Sequence, residues 1–262
     1  MKKYTRVLTI AGSDSGSGAG IQADLKTFTA LDCYGTTAIT AITSQNTVKI
    51  NDVFILPTEV IQTQITSILD DIGTNAVKIG MLPDADGILA ISQLLQLYNT
   101  PNIVLDTIMI ASSGRNLLSE AACNSLKQNL IPIATLITPN IPEAELLLDV
   151  KIATKNDITH ALKALQQLGC DNVLLKGGHL EGDICTDFLL TAAGSMYQFS
   201  HPRITSRNTH GTGCTLSSAI AAYLAKGETL PEACKKAGDY VHQAIINGVN
   251  YVLGNGNGPL KG

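Results

Sequence analysis

RVLTIAGSDSGSGAGIQADL, residues 6–25, joins a short β-branched run to a helical pattern through a glycine-rich loop. We predict a strand over Arg6 to Ala11, because β-branched residues favour strands. We predict a helix over Ile21 to Leu31, because its apolar residues recur at three- and four-residue spacing. A strand followed by a helix is the repeating unit of a parallel sheet. This first βα unit therefore predicts an α/β fold.

The same alternation continues along the chain. Further strands are predicted at Thr36 to Thr43, Ala76 to Gly80, Asn102 to Asp106, Thr135 to Thr138 and Asn172 to Lys176. Further helices are predicted at Thr58 to Ile72, Asp84 to Tyr98, Ser119 to Asn129, Ile141 to Leu148, Asn156 to Leu168, Thr215 to Lys226 and Pro231 to Asn247. Right-handed crossovers place such helices on both faces of a mostly parallel sheet, which predicts a three-layer α/β/α arrangement.

The composition indicates a globular protein with a small-molecule ligand. Of the 262 residues, 45% are hydrophobic and 15% are charged, enough for one large α/β domain or two small ones. No linker or repeat divides the chain, so we predict a single domain over residues 1–262. The net charge is −4 without a run of lysine or arginine, which argues against nucleic acid or an anionic membrane as partner.

The spacing of the cysteines and the length of the apolar runs indicate the cellular compartment of the protein. The six cysteines show neither a C-x-x-C pair nor zinc-ligand spacing, which predicts reduced and mostly buried thiols in a cytoplasmic protein. The apolar segment Val7 to Ile10 is too short for a signal-peptide core. Longer uncharged runs are broken by glutamine, asparagine, proline or glycine, so we expect no membrane span.

Polar residues follow nearly every predicted strand, at the edge of the sheet where α/β proteins bind ligands. The glycine-rich loop fits neither a dinucleotide fingerprint nor a phosphate-binding P-loop. Within the helix that follows it, Asp24 could cap the helix or meet a substrate. Gln45 suits the edge of a nitrogen heterocycle and Met81 its face. Taken alone, however, Gln45 is better explained as a surface turn residue and Met81 as core packing. Asp106 is a stronger candidate, because an unpaired carboxylate is costly to bury.

Two later strand ends carry groups suited to phosphate and metal. Asn140 and Glu143 have the spacing of a capping box, and Glu143 could alternatively hold Mg²⁺ through its carboxylate. Lys176 precedes two glycines, which favours a phosphate contact over a solvated charge.

Asn208 to Cys214, NTHGTGC, precedes a predicted helix and places glycines and a thiol at its N-terminus. Free backbone N–H groups and the helix dipole stabilise an anion there. Gly211 and Gly213 would allow close approach and positive φ, and Cys214 would face the transferred group. Alternatively, the segment is a glycine-rich turn capped by Thr212, with Cys214 packed as a small buried residue.

Six motifs, in order, resemble the hydroxymethylpyrimidine/phosphomethylpyrimidine kinases of the ribokinase superfamily: GSDSGSGAGIQADLKT, TAITSQNT, AVKIGML, ITPNIPEAELL, LLKGGH and NTHGTGC. The resemblance spans nearly the whole chain and implies a ribokinase-like fold. It further implies transfer of the γ-phosphate of ATP to 4-amino-5-hydroxymethyl-2-methylpyrimidine and then to its monophosphate, in thiamine biosynthesis. A cytoplasmic homodimer that uses Mg²⁺ is also implied.

The resemblance assigns roles to individual residues. Cys214 stands where the superfamily has a catalytic aspartate and would accept the hydroxyl proton, with a pKa lowered by the helix N-terminus. The backbone of Gly211, Thr212 and Gly213 would hold the transferred phosphoryl group. Gln45 would read the pyrimidine edge. The remaining assignments are Met81, Asp24, Gly12 and Ala19 at the substrate, Asp106, Asn140, Glu143, Lys176 and Thr209 at ATP, and Glu143 and Asp106 at the metal.

The chain departs from the family pattern at Ser17, where relatives have glycine, and at Ser112, where they have lysine. Losing that lysine predicts weaker handling of the monophosphate in the second step. A pyridoxal kinase is the alternative within the same family, but such relatives carry Met-Asp where this chain has Gln45-Asn46. A non-catalytic binding protein is the alternative of another class, and Ser112 is its main support.

Overall fold

The computed structural model describes residues 2–109, 118–178 and 182–262, and a single nine-stranded sheet runs through them. The strands are β1 (Arg6–Asp14), β2 (Tyr34–Gln45), β3 (Ile50–Ile55), β4 (Ala76–Ile79), β5 (Ile103–Leu105), β6 (Leu136–Ile137), β7 (Val173–Leu175), β8 (Ile184–Leu190) and β9 (Met196–Pro202). Their order is β3-β2-β1-β4-β5-β6-β7-β8-β9. Neighbouring strands from β2 through β1, β4, β5 and β6 to β7 pair in parallel, whereas β3 at one end of the sheet and β8 and β9 at the other pair antiparallel.

Helices cover both faces of this sheet. They are α1 (Gly20–Ala30), α2 (Thr58–Asp71), α3 (Ala85–Leu97), α4 (Glu120–Ser125), α5 (Ile141–Leu148), α6 (Lys155–Gln166), α7 (Thr212–Ala225) and α8 (Leu230–Gly248). A π-helical turn and a 3₁₀ turn extend α4 to residue 133. Within the described ranges, no helix is both long and apolar enough to cross a membrane.

Alternate residues of the buried strands belong to two separate hydrophobic clusters, one on each face of the sheet. Val7 of β1 packs with α1, α7 and α8, whereas the next residue, Leu8, packs with the helices α2, α3, α5 and α6. In β4, Ala76 belongs to the same cluster as Val7, and Val77 to the same cluster as Leu8. Because parallel strands are covered on both faces, they are apolar on both. The predicted three-layer α/β/α architecture with a mostly parallel sheet is confirmed.

All predicted strands and helices are present; α5 has its predicted bounds, and the others have shifted ends. The sequence prediction missed β3, β8 and β9, the antiparallel strands at the edges of the sheet. Strand β3 is mostly exposed, and so is β9, an edge strand that ends at Pro202. Edge strands bury little, so they lack the continuous apolar run that marks the central strands.

Candidate active site

A cavity of about 210 Å³ opens at the carboxyl ends of the parallel strands. It brings together the following predicted residues: Gly12, Ala19, Gln45, Met81, Asp106, Asn140, Glu143, Lys176, Gly211, Gly213 and Cys214. The cavity is also lined by residues that the sequence analysis did not assign: Ser13, Asp14, Gly20, Thr43, Ile50, Val53, Ile108 and His210. Asp24, Thr209 and Thr212 do not line it. The departure at Ser112 lies outside the described residues.

Asp14 ends β1 and organises the glycine-rich loop. Its carboxylate accepts hydrogen bonds from the backbone N–H groups of Gly16 (2.7 Å), Gly18 (3.0 Å) and Ala19 (2.9 Å). Nε2 of His210 lies 3.2 Å from the same carboxylate. Burial alone would raise the pKa of Asp14, but these hydrogen bonds hold it well below its usual range. Position at a strand end, the signal that marked Asp106, could also have found Asp14.

The glycines before α7 serve different purposes. Gly211 is the N-cap with φ +82°, and a Cβ there would lie 1.8 Å from the carbonyl oxygen of Gly18. Only glycine fits that position. Gly213 is not among the residues with positive φ, contrary to expectation. A Cβ on Gly213 would instead lie 3.5 Å from Nζ of Lys176 and 3.6 Å from Oδ2 of Asp106, so glycine keeps the space beside them open.

Cys214 lies in the first turn of α7 and is 7% exposed. The backbone N–H of Gly20, where α1 begins, points to its sulfur. Burial raises the pKa of the thiol to about 11, despite the opposing charge of Lys78. The expected lowering of this pKa by the helix N-terminus is therefore wrong, because removal from water outweighs the nearby positive potential. Cys214 is a neutral thiol at rest.

Asp24 is fully buried beneath the site, and the expectation that it binds substrate is corrected accordingly. Its carboxylate accepts hydrogen bonds from Thr9 (2.6 Å) and Ser218 (2.7 Å) and forms an ion pair with Lys78 at 2.9 Å. Burial alone would lower the pKa of Lys78, but Asp24 holds it above its usual range. Asp24 thus joins α1 to the sheet and to α7 below the cavity.

Asp106 and Lys176 form a second ion pair, beside Gly213 at the α7 N-terminus. Nζ of Lys176 lies 3.0 Å from Oδ1 of Asp106, which also accepts a hydrogen bond from Thr138 at 3.3 Å. Burial opposes ionisation of Asp106, but Lys176 and Lys78 hold its pKa below the usual range. The pKa of Lys176 is raised, because Asp106 and Glu143 outweigh its burial. Both groups are charged.

Asn140 and Glu143 form the capping box of α5. Oδ1 of Asn140 accepts from the N–H of Glu143, and Oε2 of Glu143 accepts from the N–H of Asn140, each at 2.9 Å. Oε2 of Glu143 also accepts from the hydroxyl of Thr107 at 3.2 Å. Burial raises the pKa of Glu143, with a further contribution from Asp106 and partial opposition from Lys176. The capping interpretation is confirmed, and both residues still face the cavity.

Two carboxylates of the cavity, those of Asp106 and Glu143, are candidate ligands for Mg²⁺ bound with ATP. In the part of the chain that the structure describes, no group of three or more His, Cys, Asp and Glu side chains could hold a metal ion. Mg²⁺ with a nucleotide needs only one or two carboxylates, since phosphate oxygens and water complete its shell. Asp106 and Glu143 meet that need, and the space beside Gly213 suits a phosphate. Thr209 is exposed, and its carbonyl oxygen accepts from the hydroxyl of Thr212 at 2.7 Å, so these two residues shape the turn.

The chain is similar to kinases of known sequence and structure. A family model described as phosphomethylpyrimidine kinase matches residues 14–261. A hydroxymethylpyrimidine/phosphomethylpyrimidine kinase from Haemophilus influenzae is 45% identical, over 100% of this chain and 97% of that protein. The phosphomethylpyrimidine kinase structure from Clostridium difficile 630 has a TM-score of 0.82 at 44% identity, covering 92% of this chain and 99% of that one. The ADP complex of Bacillus subtilis pyridoxal kinase has a TM-score of 0.91 at 36% identity, covering 99% and 97%.

Proposed function

Because this chain belongs to the phosphomethylpyrimidine kinase family, we propose that it phosphorylates 4-amino-5-hydroxymethyl-2-methylpyrimidine and then its monophosphate, using ATP, in thiamine biosynthesis. It is a phosphotransferase with the ribokinase-like fold of its structural neighbours. The observation that carries the proposal is that two groups meet the α7 N-terminus in one cavity. They are the thiol of Cys214 in the first turn of α7, and the ion pair of Lys176 with Asp106 beside Gly213.

This arrangement suits phosphoryl transfer, which depends mainly on positioning and charge stabilisation. The backbone N–H groups from Gly211 to Cys214 would hold the transferring phosphoryl group, and Lys176 would balance its charge. The thiolate form of Cys214 would accept the proton that the attacking hydroxyl loses. Because its thiol is neutral at rest, we expect this contribution to grow with pH, within the roughly 10²–10⁴-fold of a general base.

ATP and Mg²⁺ would bind at the Asp106 side of the cavity. The bound metal would neutralise charge on the nucleotide phosphates. Asp106 and Glu143 would hold it directly or through water, and Asn140 would support them through the capping box. Thr209 remains a candidate for ATP only through its backbone, since its side chain lies outside the cavity.

The pyrimidine would bind at the other end of the cavity. Gln45 would contact the polar edge of its ring, and Met81 would contact the face of the ring. Gly12 and Ala19 would contact the rest of the ligand. Sδ of Met81 lies 3.1 Å from where a Cβ on Gly12 would be, so glycine makes room for the methionine against the ligand. The same end would admit pyridoxal, and the likeness to a pyridoxal kinase keeps that activity as the second candidate.

The test is an ADP-release assay with Mg·ATP that compares hydroxymethylpyrimidine, its monophosphate and pyridoxal, with products identified by mass. We expect the pyrimidine to have the highest kcat/KM, with diphosphate formed. Preference for pyridoxal would show that our interpretation of Gln45 is wrong. Persistence of full activity in Cys214→Ala would exclude the proton-acceptor role, and absence of transfer to every acceptor would support a non-catalytic protein.

The substitution at Ser112 leads to a separate expectation for the second step. Without a lysine there, kcat/KM for the monophosphate should fall below that for the hydroxymethyl substrate, and Ser112→Lys should raise it. Comparable values for both steps, unchanged by Ser112→Lys, would contradict the idea.

A homodimer in the cytoplasm is also proposed. The described cysteines are all free, as expected in a reducing compartment. The exposed edge strand β3 presents Ile50, Phe54 and Ile55, which are 43%, 63% and 45% exposed. Unpaired apolar strand edges favour pairing with another chain. Sedimentation should give the mass of two chains, and Phe54→Lys should give the mass of one.

A further inference from the structure

A segment that follows α8 packs against the β2–β3 hairpin, which carries Gln45. We call residues 254–259, GNGNGP, the strap. The backbone N–H of Asn257 donates to the carbonyl oxygen of Thr47 at 3.0 Å, and the N–H of Gly256 donates to Oγ1 of Thr47 at 3.2 Å. A Cβ on Gly256 would lie 1.8 Å from the same carbonyl oxygen. Thr47 follows Gln45 by two residues, so the strap holds the hairpin beside its proposed pyrimidine contact.

The next residue of the strap contacts the turn before α7. The carbonyl oxygen of Gly258 accepts from the backbone N–H of His210 at 3.0 Å. A Cβ on Gly258 would lie 2.0 Å from Oδ1 of Asn208. Nδ2 of Asn208 donates to the carbonyl oxygens of Gly248 at 2.7 Å and Tyr251 at 2.8 Å, which fixes this turn against the end of α8. Because His210 directly precedes the N-cap of α7, the strap also holds the backbone proposed to bind the phosphoryl group.

The strap lies outside the cavity and holds two segments that line it. Gln45 of the hairpin and His210 of the turn both line the cavity, whereas none of the described lining residues belongs to the strap. The contact residues Asn257 and Gly258 are adjacent, so their Cα atoms are only about 3.8 Å apart. Oγ of Ser15 also holds the backbone of Gln45, by accepting from its N–H at 2.8 Å and donating to its carbonyl oxygen at 2.7 Å. Loss of the strap contact should therefore shift the hairpin rather than release it.

We propose that the strap is a positioning segment, which fixes the hairpin relative to the α7 N-terminus and so aligns the acceptor hydroxyl of the pyrimidine with the phosphoryl group that it attacks. The proposal rests on the proposed function and adds residues that act on the reaction from outside the cavity. Phosphoryl transfer needs its reacting atoms about 3–3.5 Å apart, and a misplacement of ~1 Å can cost about 10²-fold in rate. Water needs no contact with the hairpin, so hydrolysis of ATP should not depend on the strap.

Gly256→Ala tests this role, because its methyl group would push the strap away from Thr47. Gly256 is not among the residues with positive φ, so alanine adds no strain of that kind. We expect kcat for the pyrimidine to fall about 10–10²-fold. ADP release without pyrimidine and the dissociation constant of a non-hydrolysable ATP analogue should not change. Asn257→Ala is the matched control within the strap, because it removes an exposed side chain and keeps the backbone N–H. Its kcat should equal that of wild type.

Two substitutions at Thr47 provide a second test if Gly256→Ala does not fold. Thr47→Val removes the hydroxyl that accepts from the N–H of Gly256, whereas Thr47→Ser keeps it. Loss of one hydrogen bond should lower kcat for the pyrimidine about 2–10-fold in Thr47→Val, and Thr47→Ser should retain the wild-type value.

The contrary outcomes are distinct. Equal losses of pyrimidine phosphorylation and ATP hydrolysis in Gly256→Ala would show a general structural role and overturn the proposal. A wild-type kcat in Gly256→Ala or in Thr47→Val would also overturn it. Failure of the wild-type chain to phosphorylate the pyrimidine would overturn the proposed function, and the role of the strap with it.

Discussion

The ammonium nitrogen of Lys78 lies 2.9 Å from the carboxylate of Asp24, and neither side chain is exposed to solvent. Lys78 belongs to β4 and Asp24 to α1, and Ser218 of α7 donates a second hydrogen bond to the same carboxylate. Helices α1 and α7 both begin at the cavity. This buried polar cluster therefore connects the sheet to the two helices whose N-termini meet at Cys214.

Removing one partner of the ion pair between Lys78 and Asp24 should lower the free energy of unfolding far more than removing both. Lys78→Met leaves the buried carboxylate of Asp24 without its counterion, so we expect the free energy of unfolding to fall by about 3–5 kcal/mol. Lys78→Met/Asp24→Asn should recover part of that loss, because no charge remains buried. Urea unfolding measures the free energy of unfolding of the single and the double variant. Lys151→Met is the control, because Lys151 pairs with Glu145 while 89% exposed, and its loss should cost under ~1 kcal/mol.

Ser17 is in the left-handed region with φ +59°, at a position where the resembled family has glycine. Such a backbone costs a residue with a Cβ about 1–2 kcal/mol. Glycine removes this strain but loses about 0.5–1 kcal/mol through the greater freedom of the unfolded chain. Ser17→Gly should therefore raise the free energy of unfolding by about 0.5–1 kcal/mol. Exposed Ser195 is not among the residues with positive φ, and Ser195→Gly should not stabilise. Equal effects at both positions would contradict the strain at Ser17.

The sequence predicted those parts of the fold whose signals are local. Helix α5 matches its predicted bounds, because the capping box at Asn140 and Glu143 starts it without help from distant residues. Strand β3 was missed because it is mostly exposed and pairs only with β2. Edge strands are recognised by their partner rather than by their own composition.

The residues of the candidate site were predicted for similar reasons, and the wrong predictions among them have a common cause. Strand ends identify Asp106 and Lys176, since parallel strands bring their carboxyl ends together. Position along the chain does not reveal that Lys78 lies opposite Asp24, so a buried structural carboxylate resembled a ligand-binding one. The pKa of Cys214 was mispredicted because its depth of burial depends on how α1 packs against α7.

Gly211→Ala should disable the enzyme through a collision rather than through backbone strain alone. The added Cβ would lie 1.8 Å from the carbonyl oxygen of Gly18, so the glycine-rich loop and the α7 N-terminus must separate. Loss of an N–H that stabilises the transferring group costs roughly 10²–10³-fold in kcat, and we expect at least that loss here. Gly227→Ala is the matched control. Gly227 has φ +88° with nothing within 4 Å of a Cβ, so only strain is added and kcat should stay within a few-fold of wild type.

The raised pKa of Cys214 predicts a loss of stability in alkali. In the unfolded chain the thiol titrates near its ordinary value of 9.0, whereas burial raises the pKa in the folded protein to about 11. The folded state therefore binds the proton more tightly. The contribution of the neutral thiol is fully present below pH 9 and is lost as the pH rises towards 11.

Cys214→Ala isolates this contribution from the other groups that titrate in the same range, such as Cys170, whose pKa burial raises to about 12. The free energy of unfolding of wild type relative to Cys214→Ala should fall by about 2 kcal/mol between pH 9 and pH 11. Urea unfolding at each pH gives this difference. The rate at which iodoacetamide alkylates Cys214 should rise about tenfold per pH unit up to about pH 11, because only the thiolate reacts. A rate that levels off near pH 7 would instead mean that the α7 N-terminus outweighs burial, and that the thiolate is present at rest.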